Sequence, residues 1–167
     1  MQVINIWLEK AFIWMELSSI GEAVRTTPFL YPTLESLHIL GIALLVGSSV
    51  AFDLRLLGIG QKFLPVTIAA RHLLPLSRIG FTLTFITGIA LFTANALTVG
   101  FSSAAIWKLM LIVIAGVNIT FFHTGIYRTV QDWDIDTQSP ARAKFAAVIS
   151  AFTWTGVIIA GRLLAYI

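Results

Sequence analysis

The chain has 167 residues, of which 57% are hydrophobic and only 11% are charged. Soluble domains carry about 25% charged residues, so a chain this apolar needs a second apolar solvent around it. The formal net charge is +3, but the basic residues flank apolar stretches, which indicates membrane orientation rather than nucleic-acid binding. The chain has no cysteine, which excludes disulfides, iron–sulfur clusters and thiolate metal sites.

The N-terminal segment, residues 1–31, predicts an amphipathic helix in the membrane interface. Its polar residues recur at helical spacing and face an apolar side that carries two tryptophans, a residue type enriched at membrane surfaces. The polar stripe consists of Gln2, Asn5, Glu9 and Glu16. A fifth membrane span is the alternative, and it would bring charges into hydrocarbon.

Four long apolar runs in residues 32–167 predict membrane-spanning helices, because a span needs about 20 largely apolar residues. The fold class is therefore all-α, an integral membrane four-helix bundle. Ser102 or Ser103 is expected to cap the third span, and Ser139 with Pro140 to begin the fourth. Pro75 is expected to kink or begin the second. The expected spans are approximately 33–57, 72–98, 103–128 and 140–165.

The distribution of Lys and Arg predicts the orientation of the bundle. The two loops that follow the first and third spans hold most of the basic residues, so both loops are expected in the cytoplasm and both termini outside. These loops and their flanks contain Arg55, Lys62, Arg71, Arg78, Arg128, Arg142 and Lys144, against Lys10, Arg25, Lys108 and Arg162 on the opposite side.

Three polar side chains are expected at one level in the outer half of the bundle. His38, Lys108 and Arg162 each lie roughly 9–10 Å from the middle of a different span, at about 1.5 Å of rise per residue. Glu35 lies one turn from His38 on the same helix face. The alternatives are that Lys108 and Arg162 extend to the headgroups and that His38 is a hydrogen-bonded interior histidine.

His123 is expected at the opposite level, roughly 12 Å inward of the middle of its span. Asp53, Arg55 and Arg78 are predicted to form an interfacial ion cluster there, and His72 to lie at the surface. His38 and His123 are the candidate metal ligands, but about 20 Å separates their levels, so they cannot bind the same haem iron.

Histidine is an axial ligand of haem in many proteins, which makes His38 the candidate ligand of a b-type haem. Lys108 is the candidate for a second ligand or a propionate partner, while Arg162 and Trp154 suit a propionate and a ring face, and Glu35 lies close by. A copper site is the alternative, with His38 and Met110 but without a thiolate.

Two segments carry a family resemblance. LESLHILGIALLVGSSVAFDLRLLG and IWKLMLIVIAGVNITFFH resemble core helices of the HemJ-type protoporphyrinogen oxidases and of CopD-like copper-resistance membrane proteins. WLE, the YP before ESLH, DLRLLG and GRLLAY are similar to an uncharacterised bacterial four-helix family of the same superfamily. The resemblance implies a bacterial inner membrane protein that binds haem b, with His38 and Lys108 as the functional pair and His123 as a further polar position.

The leading hypothesis is a haem b redox protein that passes electrons to or from a quinone, a porphyrinogen or a partner subunit. It would be an oxidoreductase or an electron-transfer subunit of one. The alternatives are a copper-handling protein of the CopD kind and a non-catalytic anchor subunit of a larger complex. The expected partners are the lipid bilayer and either further copies of the chain or other membrane subunits, with both termini on the periplasmic side.

Overall fold

The computed structural model describes the backbone of residues 2–166 and the side chains of residues 6–164 and 166. The described residues form helices joined by loops and contain no strand, which confirms the all-α prediction. The side chains of Gln2 and Asn5, two members of the predicted polar stripe, lie outside the described ones. The helices are α1 (Gln2–Glu16), α2 (Ser19–Thr26), α3 (Leu30–Leu56), α4 (Val66–Ala94), α5 (Ala96–Gly100), α6 (Ser103–Thr124) and α7 (Ala141–Leu163), with 3₁₀ helices at Ile126–Asp132 and Leu164–Tyr166.

Four of these helices, α3, α4, α6 and α7, are long and apolar enough to cross a membrane. Many of their large apolar side chains are exposed at the surface of the bundle, which suits contact with lipid chains rather than with water. The chain is therefore a multi-pass membrane protein built as a four-helix bundle.

The helix ends differ from the sequence expectation at two prolines. Helix α4 begins at Val66, so Pro75 lies inside the helix and does not begin it. Membrane helices tolerate an interior proline. Pro140 is the N-cap of α7, so the helix begins one residue later than expected, and the Ser139 hydroxyl has no partner within the described residues. The expected cap of the third span is confirmed, since the Ser102 hydroxyl accepts from the Ala105 amide at 3.1 Å.

Helices α3 and α4 form the most extensive helix pair, α6 and α7 form a second pair, and α3 joins the two through α7. The α3–α4 pair is closest at Gly41 and Gly80. A Cβ atom on Gly80 would overlap the backbone of Leu45 and the carbonyl of Gly41. Small residues allow the two helices to approach this closely. In lipid the hydrophobic effect does not drive helices together, so close packing of this kind drives their association.

The N-terminal helices pack over the bundle end at which α4 finishes. The Arg25 guanidinium donates to the Ala94 carbonyl at 3.2 Å and also to the Glu16 carbonyl. The Glu16 carboxylate accepts from the Leu97 amide at 2.8 Å. Arg25 thereby satisfies a carbonyl at the C-terminus of α4, where cations are favoured. We call this the His38 end of the bundle, since it also contains the first half of α3.

Arg55 joins three segments at the opposite end, which we call the His123 end. Its side chain is only 2% exposed and donates to the carbonyls of Leu64 and Asp134. The Asp134 carboxylate in turn accepts from the amide and the hydroxyl of Thr67, both at 2.8 Å, at the start of α4. The guanidinium thus joins the loop after α3 to the segment before α7, and the Asp134 carboxylate joins that segment to the start of α4.

We predict that Gly80→Ala destabilises the bundle by about 1–3 kcal/mol, because the added methyl group forces α3 and α4 apart. Gly47→Ala is the matched control, since a Cβ at Gly47 meets no described atom within 4 Å. Reversible unfolding of the purified protein in mixed detergent micelles measures both variants. Equal stability of the two would show that the close helix approach is not required.

We predict that Arg55→Met lowers the free energy of unfolding by about 1.5–3 kcal/mol, the range for hydrogen bonds to a charged group. The exposed Arg71, on α4, gives the control Arg71→Met, for which we expect no measurable change. Limited proteolysis of the loops at residues 57–65 and 125–140 should accelerate only in the Arg55 variant. A loss of stability without faster cleavage there would contradict the proposed joining role.

Candidate functional site

One hydrogen bond holds His38 against α4 and also determines which nitrogen of its ring carries the proton. Its Nδ1 lies 2.9 Å from the Thr87 hydroxyl oxygen, and that hydroxyl donates its own proton to the Leu83 carbonyl at 2.7 Å. Because Thr87 has no second proton to give, His38 Nδ1 is the donor. The Thr84 carbonyl, which can only accept, lies beside the same imidazole. The neutral ring therefore keeps an unprotonated Nε2 with a free lone pair.

Lys108 on α6 is the one predicted partner that the structure brings near His38. Its ammonium is close enough to interact electrostatically with the imidazole. The Lys108 Nζ lies 3.5 Å from the position that a Cβ on Gly161 would take, so the side chain runs along α7. A Cβ on Gly88 would lie 3.0 Å from His38 Cε1, so glycine leaves room there for the imidazole. Four helices, α3, α4, α6 and α7, thus meet around these two side chains.

The other residues predicted for this site are Arg162, Glu35 and Trp154. Arg162 is exposed and turns toward the chain end, where it donates to the Tyr166 hydroxyl at 3.2 Å and lies over the Tyr166 ring. Glu35 is exposed at the surface of α3. Trp154 is only 6% exposed and packs with Leu45, Ala115 and Val157 in the apolar middle of the bundle. Arg162 and Trp154 thus make their contacts with other groups, and a role of Glu35 beside His38 stays a prediction.

The His123 end contains a small cavity between α3, α4, α6 and α7. Its volume is about 30 Å³, the share of one water molecule in the liquid. Apolar side chains form most of its wall, and the polar residues in the wall are Ser49, Asp53, Asn118, His123 and Ser150.

Two polar atoms at this cavity lack a partner among the described residues, namely Asp53 Oδ2 and His123 Nε2. His123 Nδ1 lies 2.9 Å from the Ile119 carbonyl, which can only accept, so Nδ1 is protonated and Nε2 carries a lone pair. The Ser150 hydroxyl lies next to the Asp53 carboxyl group. Asn118 donates its amide to the Ala146 carbonyl at 2.9 Å.

The predicted ion cluster of Asp53, Arg55 and Arg78 is not formed. Asp53 faces the cavity, Arg55 binds two carbonyls on the loop side, and Arg78 is exposed. Residues two apart on a helix point in different directions, which explains the divergence of Asp53 and Arg55. His72 is exposed, as expected from the sequence.

Thr87 lies at the His38 site and Ser150 at the cavity beside Asp53, and neither residue was predicted from the sequence. Both are hydroxyl residues inside apolar helices, where such side chains usually bond their own backbone. Only the pairing of α3 with α4, and of α3 with α7, brings them to His38 and Asp53. A hydroxyl next to glycine, as in Thr87-Gly88, is the signal that the sequence offers.

Within the described part of the chain, no group of three or more His, Asp or Glu side chains could hold a metal ion. His38 and His123 lie at opposite ends of the bundle, so each belongs to a separate environment. A haem iron needs only one or two axial protein ligands, so the donor set at His38 fits it better than a bare copper ion.

Comparison with known proteins gives one match. A family model described as a family of unknown function, DUF6644, matches residues 11–167. No curated protein and no solved structure matches the chain. The resemblance to HemJ-type and CopD-like proteins therefore stays a prediction.

We predict that Thr87→Val destabilises the protein by about 1–3 kcal/mol, because the His38 N–H loses its acceptor inside the helix pair. Thr82→Val is the control, since Thr82 is exposed on the same helix and its hydroxyl also bonds a carbonyl one turn earlier. Unfolding in mixed micelles compares the two. If Thr82→Val costs as much, the bond to His38 contributes nothing to stability.

Proposed function

Since the chain belongs to the DUF6644 family, whose function is unknown, we propose a function from the site itself: a membrane-embedded redox protein that binds b-type haem at the His38 end. When bound, haem supplies one-electron chemistry. The polypeptide supplies the axial ligand, the apolar surroundings and the charge beside the site.

The observation that carries this proposal is the state of the His38 imidazole. Metal-binding histidines generally donate their second ring N–H to a fixed acceptor, which sets the tautomer and the ring orientation. The bond from His38 Nδ1 to Thr87, with the Thr87 proton committed to Leu83, supplies this arrangement. Nε2 is thereby left with the lone pair that an iron ligand requires.

Lys108 gives the site a second functional group from another helix. Its half-buried position among apolar residues makes a permanent charge costly, which favours either a neutral amine or pairing with an anion. A neutral amine would be the opposite axial ligand, and an ammonium would pair with a haem propionate. Arg162 and Trp154 contact other residues and Glu35 is exposed, so the proposal does not depend on them.

The electron partner is proposed to reach the site from the bilayer or across its surface. α4 and α6 each expose most of their apolar length, and the loops between the spans are short. A quinone, a porphyrinogen or a membrane subunit could approach such helices through lipid. No contact in the structure favours copper handling, since Met110 is exposed on α6.

The test is the absorption spectrum of the detergent-purified protein, oxidised and reduced, from haem-sufficient cells. We expect a Soret band that is lost in His38→Ala because the iron loses its axial ligand. His72→Ala is the matched control, since His72 is exposed and bonds only its own helix. A colourless wild-type protein, or an unchanged Soret band in His38→Ala, would contradict the proposal.

Two substitutions of Lys108 separate its two roles. Lys108→Met removes both the amine and the charge, whereas Lys108→Arg keeps a charge that pairs with a propionate but cannot bind iron. If Lys108 is a ligand, both variants shift the Soret band. If it binds a propionate, only Lys108→Met weakens haem retention.

A further inference from the structure

The cavity at the His123 end is a second site, independent of the haem proposal. Asp53 is 6% exposed, its Oδ2 has no partner among the described residues, and it lines a space of about 30 Å³. His123 Nε2 faces the same space and is also buried without a described partner. A buried polar group without a partner is costly, so the two atoms together require a ligand.

The groups around the cavity are mainly hydrogen-bond acceptors. Asp53 Oδ2 accepts only, and His123 Nε2 carries a lone pair because Nδ1 donates to Ile119. Asn118 uses its amide N–H on the Ala146 carbonyl, which leaves its oxygen as an acceptor. The hydroxyls of Ser150 and Ser49 can adapt to either role, and Ser49 lies 3.0 Å from the Ser77 hydroxyl. The ligand must therefore donate hydrogen bonds.

The charge around the cavity is uncompensated by the protein. Of the described side chains that line it, Asp53 on α3 and His123 on α6 are titratable, and none is Lys or Arg. Arg55 is directed to the carbonyls of Leu64 and Asp134 instead. Tyr127 packs on the His123 ring, and burial, assisted by Asp134, raises its pKa, so it stays neutral. A carboxyl group within a membrane-spanning helix takes up a proton or is balanced by a countercharge, and no described Lys or Arg lines this cavity to supply one.

We propose that this cavity binds one small cation that donates hydrogen bonds, either a hydronium ion or an ammonium ion. Its positive charge balances Asp53, and its N–H or O–H groups reach Asp53, His123 and Asn118. A nitrogen lone pair is a poor ligand for alkali metal ions, which prefer oxygen, but it accepts a hydrogen bond well. The volume of about 30 Å³ admits one water-sized ion.

The test compares ammonium with potassium, which is similar in size but donates no hydrogen bond. Thermal unfolding of the full-length purified protein is measured against increasing ammonium chloride or potassium chloride at constant ionic strength. If ammonium is the ligand, it raises the unfolding midpoint in a saturable manner and potassium does not. The shift is lost in Asp53→Asn and reduced in His123→Phe, whereas the exposed Asp132→Asn retains it.

Infrared spectroscopy of the wild-type protein at neutral pH distinguishes the hydronium ion and does not depend on how the variants fold. A bound hydronium ion gives the absorption of protonated water, which shifts in heavy water, together with the bands of an ionised Asp53 carboxylate. Two results would overturn the proposal: potassium stabilises as well as ammonium, or ammonium has no effect while the spectra show no protonated water, whether Asp53 is ionised or itself carries the proton.

Discussion

The close approach of α3 and α4 at Gly41 and Gly80 is the constraint on which the rest of the bundle depends. It fixes the register of the two antiparallel helices along their whole length. The same register brings Thr87 to His38 on one side of the contact and Ser77 to Ser49 on the other. A larger residue at Gly80 would shift both pairs together, so packing in the middle of the bundle controls the chemistry at both of its ends.

Hydrogen bonding inside an apolar solvent explains why the two histidines have the same tautomer but different partners. His38 Nδ1 faces a hydroxyl whose own proton goes to the Leu83 carbonyl, and His123 Nδ1 faces the Ile119 carbonyl, so each neutral ring keeps a lone pair on Nε2. His38 donates to a side chain of another helix, and this bond positions its ring relative to α4. His123 donates to the backbone of its own helix, α6. Its ring is oriented by that bond and by the neighbouring aromatic rings of Phe122 and Tyr127.

The spans and the depth of each polar side chain in the membrane could be predicted from the sequence, but the directions in which the side chains point could not. Composition and run length are sufficient for the four helices, because hydrocarbon thickness sets their length. Lys108 and Arg162 share a depth, yet only Lys108 turns toward His38, since direction depends on the rotation of each helix against its neighbours. The separation of Asp53 from Arg55 follows from helix geometry, whereas the cavity beside Asp53 required the positions of four helices.

The distribution of charge gives the two ends opposite ligand preferences. The His38 end carries the Lys108 amine beside an imidazole, and the His123 end carries the Asp53 carboxyl group beside another imidazole. Between them lies the apolar cluster of Leu45, Ala115, Trp154 and Val157. Charges are weakly screened in such surroundings, so the first end favours a ligand with anionic groups and the second a cation. The apolar cluster would keep the two proposed ligands apart, so that one small bundle could support two sites with unrelated chemistry.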